Sequence, residues 1–369
     1  MKKITFTIIA LHLTLLVLGQ SGAPANPYYN GFNWTLTGTA LKNALANKIT
    51  TTHTKFLTYS EDWNASQATD LNPTNSNNVL LVYGFSANTC PTSTSDDNDH
   101  RERNINSNGG ANSCEWNREH VYAKSLGTPA LVDGALTSAD SDAGEDAHHI
   151  RSADVDRNAN RGNSKFAAGT GNSGNVTGGW YPGDEWKGDV ARMMMYMYLR
   201  YDSQCLPINV GTGATVASDS NMLQLFLQWN ADDPVSQYED NRNTYHGNSS
   251  NAYAQGNRNP FIDNPYLATL IWGGPIAQDR WNFLSAQNYL NSEMVAIYPN
   301  PTNNGVVSIE TTEAILNVRI MTIHGQVIRE IEKPLFIENI FEITNLPQGF
   351  YLIELRNNKG TLTKKIVVN

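Results

Sequence analysis

The sequence predicts an α+β protein in two parts: a mixed helical and strand domain, then a small all-β sandwich. Three observations predict this class. Apolar residues in the middle of the chain recur at helical spacing, the segment after about residue 293 is a series of short β-type runs broken by turn signals, and the composition suits a packed protein. Of 369 residues, 40% are apolar and 17% charged, and the formal net charge is −9. That length accommodates about two domains, and the 8 Trp, 16 Tyr and 11 Phe support a core, which excludes global disorder and a small disulfide-stapled framework. The acidic balance removes any bulk basic field that would draw in a polyanion, so phosphate chemistry has to be local.

Taken in order, the chain starts with Lys2 and Lys3, an almost wholly apolar run from Ile4 to Leu18, and small residues after it. This is a secretory signal peptide, assigned to residues 1–22. The alternative, an amino-terminal anchor, is disfavoured because the run is shorter than the roughly 20 residues a bilayer span needs. No later apolar segment is long enough to span, so the expected product is a secreted or surface-attached monomer with no membrane span after signal removal. Residues 25–292 form the first domain and 293–369 the second. In an oxidising compartment the three cysteines allow three single pairings, of which Cys90 with Cys114 is favoured, leaving Cys205 over. The absence of a Cys-x-x-Cys pair argues against cysteine-ligated zinc.

A helix is expected over Leu41 to Leu57 and a strand over Val79 to Tyr83. Trp186, Val190, Met193, Met194, Met197, Tyr198 and Tyr201 are spaced by threes and fours within 185–202, the apolar stripe of a helix. Further helices are read at Asn221 to Trp229, before the Asp232-Asp233-Pro234 breaker, and at Tyr266 to Trp272 after Pro265. Beyond these lie β-type runs at 306–310, 318–323, 326–330, 341–343, 350–356 and 361–368, separated by Asn- and Gly-rich turns.

Reactive side chains concentrate in two segments, Trp116-Asn117-Arg118-Glu119-His120 and Asp146-Ala147-His148-His149-Ile150-Arg151, the latter continuing to Asp154, Asn158, Arg161 and Asn163. On a strand Glu119 and His120 would point to opposite faces unless a strand end lets both reach one cleft. If Ala153 to Asn160 is a helix, the Asn158 amide oxygen could join the Glu119 carboxylate around a hard cation, Mg²⁺ or alternatively Mn²⁺ or Ca²⁺. His120 would then be free to act as a general base on water. Each residue alone also has a structural reading: Glu119 as an ion-pair partner, His148 or His149 as a hydrogen-bonded core residue, Asn158 as a cap.

Four ordered blocks carry a more specific signal: WNREHVYAKSLG, DAHHIRSADVDRNANRGN, GDVARMMMYMYLRY, and DPVSQYEDNRN with QGNRNPFIDNP. They resemble the bacterial endonuclease I family over roughly residues 80 to 275. The resemblance implies a ββα-metal (His-Me) finger nuclease that cuts DNA, and often RNA, with little sequence preference and leaves 5′-phosphate ends. It implies His120 as general base, Glu119 and Asn158 as ligands of one Mg²⁺-like ion, and supporting places beside the metal finger for His148 and His149. The chain departs from the family where Ala147 stands in the usual DLHH and where Ser152, not proline, precedes Ala153. The arginine on the phosphate is left open among Arg118, Arg151, Arg161 and Arg258, with Arg161 and Arg151 ranked as site candidates and Arg118 and Arg258 as substrate-binding ones. Between residues 101 and 165 eight Lys and Arg face ten Asp and Glu, so the site region is not basic. Trp180 and Tyr181 are read as exposed-turn residues on which single strands could stack, whereas Trp186 belongs to the apolar stripe.

YPNPTNNGVVSIE, LPQGFYLIEL and the ending TKKIVVN resemble the carboxy-terminal sorting domain of type IX secretion. That implies an export address read by the secretion machinery. The competing functional reading is a secreted, non-catalytic, Ca²⁺-stabilised module that binds glycans or proteins.

Overall fold

The structure, a computed structural model, describes residues 27–87, 98–110, 114–133, 142–283, 295–357 and 360–369. The signal peptide at 1–22 and Cys90 lie outside the described residues. The chain divides after Trp281 into two compact units.

The first unit opens with helix α1 (Gly38–Thr52), which buries Leu41, Leu45 and Ile49 at four-residue spacing. Helix α2 (Glu61–Thr69) leads into strands β1 (Leu71–Asn72), β2 (Asn75–Leu80) and β3 (Glu102–Asn104), an antiparallel sheet in that order. The expected strand to Tyr83 stops at Leu80. Val82 instead bridges in parallel to Ala153, and Tyr83 turns into the left-handed region at φ 73°. Strands β4 (Trp116–His120) and β5 (Ile150–Asp154) pair antiparallel, with Glu119 opposite Arg151 and His120 opposite Ile150. Helix α3 (Val155–Arg161) follows β5 without a linker, completing a ββα unit.

After the hairpin β6 (Gly174–Val176) and β7 (Gly179–Tyr181) comes α4 (Lys187–Tyr201), which is buried continuously from Gly188 to Leu199. A helix enclosed on every side must pair its charges. Asp189 meets Arg151 at 3.2 Å and Arg192 meets Glu239 at 2.6 Å. Helix α5 (Pro207–Val210) and the hairpin β8 (Thr215–Val216) and β9 (Asp219–Leu223) precede α6 (Gln224–Asp232). The helix expected from Asn221 starts three residues later because Asn221 to Leu223 complete β9. Helices α7 (Gln237–Gly247), α8 (Pro260–Asp263) and α9 (Tyr266–Trp272) finish the unit. Among the described residues no helix is long and apolar enough to cross a membrane.

The second unit is all β: β10 (Val295–Tyr298), β11 (Val307–Thr311), β12 (Asn317–Thr322), β13 (Val327–Glu332), β14 (Ile340–Ile343), β15 (Gly349–Asn357) and β16 (Gly360–Val368). Its sheets, ordered β10-β11-β14 and β13-β12-β15-β16, share a core that includes Val307, Ile309, Val318, Ile320, Ile353 and Ile366. Alternating burial along β15 is the period-2 pattern of strands with one face on that core.

Candidate active site

The ββα unit presents Glu119 and His120 at the end of β4 with their side chains in different settings. Glu119 turns toward α3. Its Oε1 accepts from the Tyr83 hydroxyl at 3.0 Å and from Arg161 Nη1 at 2.9 Å. Oε2 accepts nothing among the described residues, although the residue is only 3% exposed. Burial raises this carboxyl above its ordinary value, against the opposing pull of Arg161 and Tyr83.

His120 faces the short turn Asp142–Gly144. Its Nε2 lies 2.8 Å from the Gly144 carbonyl, which can only accept, so Nε2 carries the proton and Nδ1 keeps its lone pair. Burial, followed by the neighbouring His149, pushes the ring down to about 3 and keeps it neutral. The ring is stacked on Tyr59 with centroids 5.2 Å apart. Gly144 has no room for a side chain, since a Cβ would stand 2.0 Å from the Val132 carbonyl oxygen.

Asn158, near the middle of α3, donates through Nδ2 to Asn117 Oδ1 at 2.8 Å, which clips the helix to β4. Glu119 Oε2 and the Asn158 amide oxygen supply the hard oxygen chemistry that Mg²⁺, Mn²⁺ or Ca²⁺ takes, and the Glu119 oxygen left without a protein partner fits a cation there. Among the described residues there is no group of three or more His, Cys, Asp or Glu that could hold a metal ion. Any such cation would therefore depend on these two residues, water and substrate oxygens.

The arginines separate by environment. Arg161 is 1% exposed and spends its fork on Glu119, on the His120 carbonyl at 3.1 Å and on the Val121 carbonyl at 2.9 Å. Arg151 is fully enclosed between Asp189 and Asp70, with its guanidinium 4.5 Å from the Tyr238 ring centroid. Both guanidiniums, expected as site candidates, are enclosed by protein in this structure. Arg258 is ion-paired to Asp263 beside Tyr28 and Tyr29, and among the described residues no contact joins it to Glu119 or His120. Arg118 remains. It is half-buried, lies 3.5 Å over the Tyr59 ring and 4.3 Å over the Trp63 ring, and sits two residues along the same strand face as His120.

His149 Nε2 meets the Ala143 carbonyl at 2.7 Å, in the turn whose Gly144 carbonyl meets His120, whereas His148 Nε2 faces Asn257 and its ring packs on Tyr196 and His246. Asp146 and Asp154 are structural, the first accepting from the Tyr196 and Tyr201 hydroxyls and the second capping α3 through Arg157 N–H. Trp180 and Tyr181, expected in an exposed turn, are each 1% exposed and belong to the core, since β7 packs its edge under Ala167 and Phe166. Cys114 is disulfide-bonded, and Cys205 is a buried free thiol.

Sequence reasoning missed Tyr59, Tyr83 and Gly144. Tyr59 lies inside a Thr58-x-x-Glu61 pattern, the signature of a capped helix start, and Tyr83-Gly84 is a bulky residue followed by a glycine at a strand end. Neither pattern names a partner.

A family model described as Endonuclease I matches residues 37–266, and one described as Secretion system C-terminal sorting domain matches residues 296–369. An extracellular ribonuclease of Bacillus subtilis (strain 168) is 39% identical over 272 residues, covering 70% of this chain and 84% of the relative. An extracellular ribonuclease of Bacillus amyloliquefaciens is 40% identical over 245 residues, covering 64% of this chain and 74% of the relative.

Proposed function

Because the chain belongs to the endonuclease I family and is a secreted nuclease with a carboxy-terminal sorting domain for type IX secretion, we propose that it is a metal-dependent endonuclease of RNA and DNA with little sequence preference. In this reading His120 is the general base. The observation that carries it is the Nε2 hydrogen bond to the Gly144 carbonyl, which leaves Nδ1 as the free base nitrogen of a neutral ring. A water proton passes to Nδ1 as the water oxygen bonds to phosphorus and the bond to the 3′ oxygen breaks.

Glu119 and Asn158 would hold the divalent cation, which when bound offsets charge on the phosphoryl and departing oxygens. Arg161 and Tyr83 fix Glu119 Oε1 so that Oε2 stays presented. Arg118, the half-exposed arginine on the His120 face, is suited to grip a phosphate beside the scissile one. RNA is placed ahead of DNA because both relatives at about 40% identity carry the name ribonuclease. Membership of a nuclease family replaces the binding-module alternative.

The test is cleavage of a structured RNA and of plasmid DNA by the purified protein with Mg²⁺, with EDTA, and by His120→Ala. Loss of activity with EDTA, and at least a hundredfold loss in a folded His120→Ala protein, are expected from the usual contribution of a general base, roughly 10² to 10⁴. Full cleavage by the variant would remove His120 from the chemistry.

A further inference from the structure

A single hydrogen bond cannot orient an imidazole. The bond from Nε2 to the Gly144 carbonyl fixes one atom of His120 but leaves the ring free to turn about that axis, carrying Nδ1 away from the water it must meet. A second contact at a different point is needed. Two rings touch the imidazole: His149, tilted at 53° with centroids 5.6 Å apart, and Tyr59, the one stacked on it, with 29° between the planes and 5.2 Å between centroids.

Tyr59 is held more firmly than a loop tyrosine has to be. Its backbone N–H donates to Glu145 Oε1 at 2.9 Å, and Glu145 directly follows the glycine whose carbonyl holds Nε2. Its own carbonyl accepts from Arg118, whose guanidinium also lies over the Tyr59 ring. Just before α2, Thr58 N and Oγ1 each donate to Glu61 Oε2 at 2.9 Å, and Glu61 N–H donates back to Thr58 Oγ1 at 3.2 Å. This reciprocal cap fixes the turn that carries Tyr59. By contrast, the phenol hydroxyl makes no hydrogen bond among the described residues. What the surroundings grip is the backbone and the ring.

We propose that Tyr59 is a positioning residue for His120: its ring, not its hydroxyl, sets the imidazole plane so that Nδ1 faces the attacking water, and Glu145 locks that ring to the turn that holds Nε2. The proposal rests on His120 being the general base.

The experiment compares full-length wild-type protein with Tyr59→Phe and Tyr59→Leu, measuring kcat and KM on RNA and, separately, the side-chain ¹⁵N signals of His120. Tyr59→Phe is expected to keep kcat within about twofold. Tyr59→Leu is expected to lose about tenfold to hundredfold in kcat with KM little changed, the scale of a small misplacement at a reacting group. In the spectra, wild type and Tyr59→Phe should show one tautomer with the proton on Nε2, and Tyr59→Leu an averaged signal. Tyr59→Met replaces Tyr59→Leu if the latter does not fold. An unchanged kcat without the ring would overturn the proposal, as would equal losses in the Phe and Leu variants or a loss confined to KM. If the wild-type protein cleaves nothing, the general-base reading fails, and the spectra alone decide whether Tyr59 orients the ring.

Discussion

At Arg161 a single guanidinium closes three acceptors, Glu119 Oε1 and the carbonyls of His120 and Val121, inside a space that admits almost no solvent. Removing it leaves the Glu119 carboxylate buried with Tyr83 as its remaining donor. Arg161→Ala is therefore expected to cost about 3–5 kcal/mol in urea denaturation, the usual penalty for orphaning a buried charge, and Arg161→Lys to recover only part of it because an ammonium cannot reproduce the fork. Wild-type stability with a tenfold rise in KM would instead return this arginine to the phosphate. The buried histidines set a pH dependence of stability. Burial, ahead of the nearby arginines, holds both His53 and His148 down to about 4 from 6.5. Their folded values lie below the unfolded one, so as pH falls the unfolded chain takes up protons first. Stability should be level above about pH 7 and fall between about 6.5 and 4, read as a declining urea midpoint at pH 7.5, 6 and 5. A midpoint unchanged through that window would mean that these rings are not buried as neutral groups.

At the scale of elements, Asp154 ends β5 and begins α3, so one side chain sets the joint of the ββα unit. Its Oδ1 caps Arg157 N–H at 2.8 Å and its Oδ2 pairs with Arg103. Asp154→Ala loses the cap and the ion pair and is expected to cost about 3–5 kcal/mol, whereas Asp154→Asn keeps the cap and should cost less. Equal costs for the two variants, measured by denaturation, would show that the cap contributes nothing to the joint and that the ion pair carries the whole effect. The helix was legible in the sequence but the joint was not: the run expected from Ala153 starts at Val155, because Ala153 and Asp154 complete β5. The Met stripe of α4 was legible from its spacing by threes and fours. Helix α7 was not, because the face it buries is Tyr238, Glu239, Arg242, Asn243 and His246, a mostly polar set with no hydrophobic period to detect. The site divides likewise: Glu119 and His120 announce themselves by adjacency, while Tyr59 and the Gly144 carbonyl reach His120 through tertiary contacts that no spacing encodes. The burial of Arg151 and Arg161 was hidden for the same reason, since sequence shows a guanidinium but not what covers it.

Over the whole molecule the charge is −9, and several of its arginines are enclosed where a polyanion does not reach them. Arg151, Arg161, Arg192 and Arg242 are among the largest fully buried side chains of the nuclease unit, and their charges are spent inside on Asp70, Glu119, Asp189 and Glu239. The sandwich unit buries a core of its own, running from Val295 to Val368, so its basic ending is read as part of an export address and not as part of the substrate surface. Near His120 the cations left toward solvent are Arg118, half-buried, and Lys124, whose side chain is 38% exposed and already paired with Asp133. A nuclease built this way must take hold of nucleic acid through a few placed contacts, with the cation proposed above, and not through long-range attraction. Each phosphate neutralised adds about 0.9 to the salt slope on duplex DNA and about 0.7 on a single strand, so two or three contacts give a slope of about −2 to −3. We therefore expect log(kcat/KM) on duplex DNA to fall with log[KCl] at about that slope between 50 and 300 mM at fixed Mg²⁺, and Arg118→Gln to flatten it by about one. A slope steeper than about −5 would require a basic surface that the described residues do not form, and would place substrate capture outside the ββα unit.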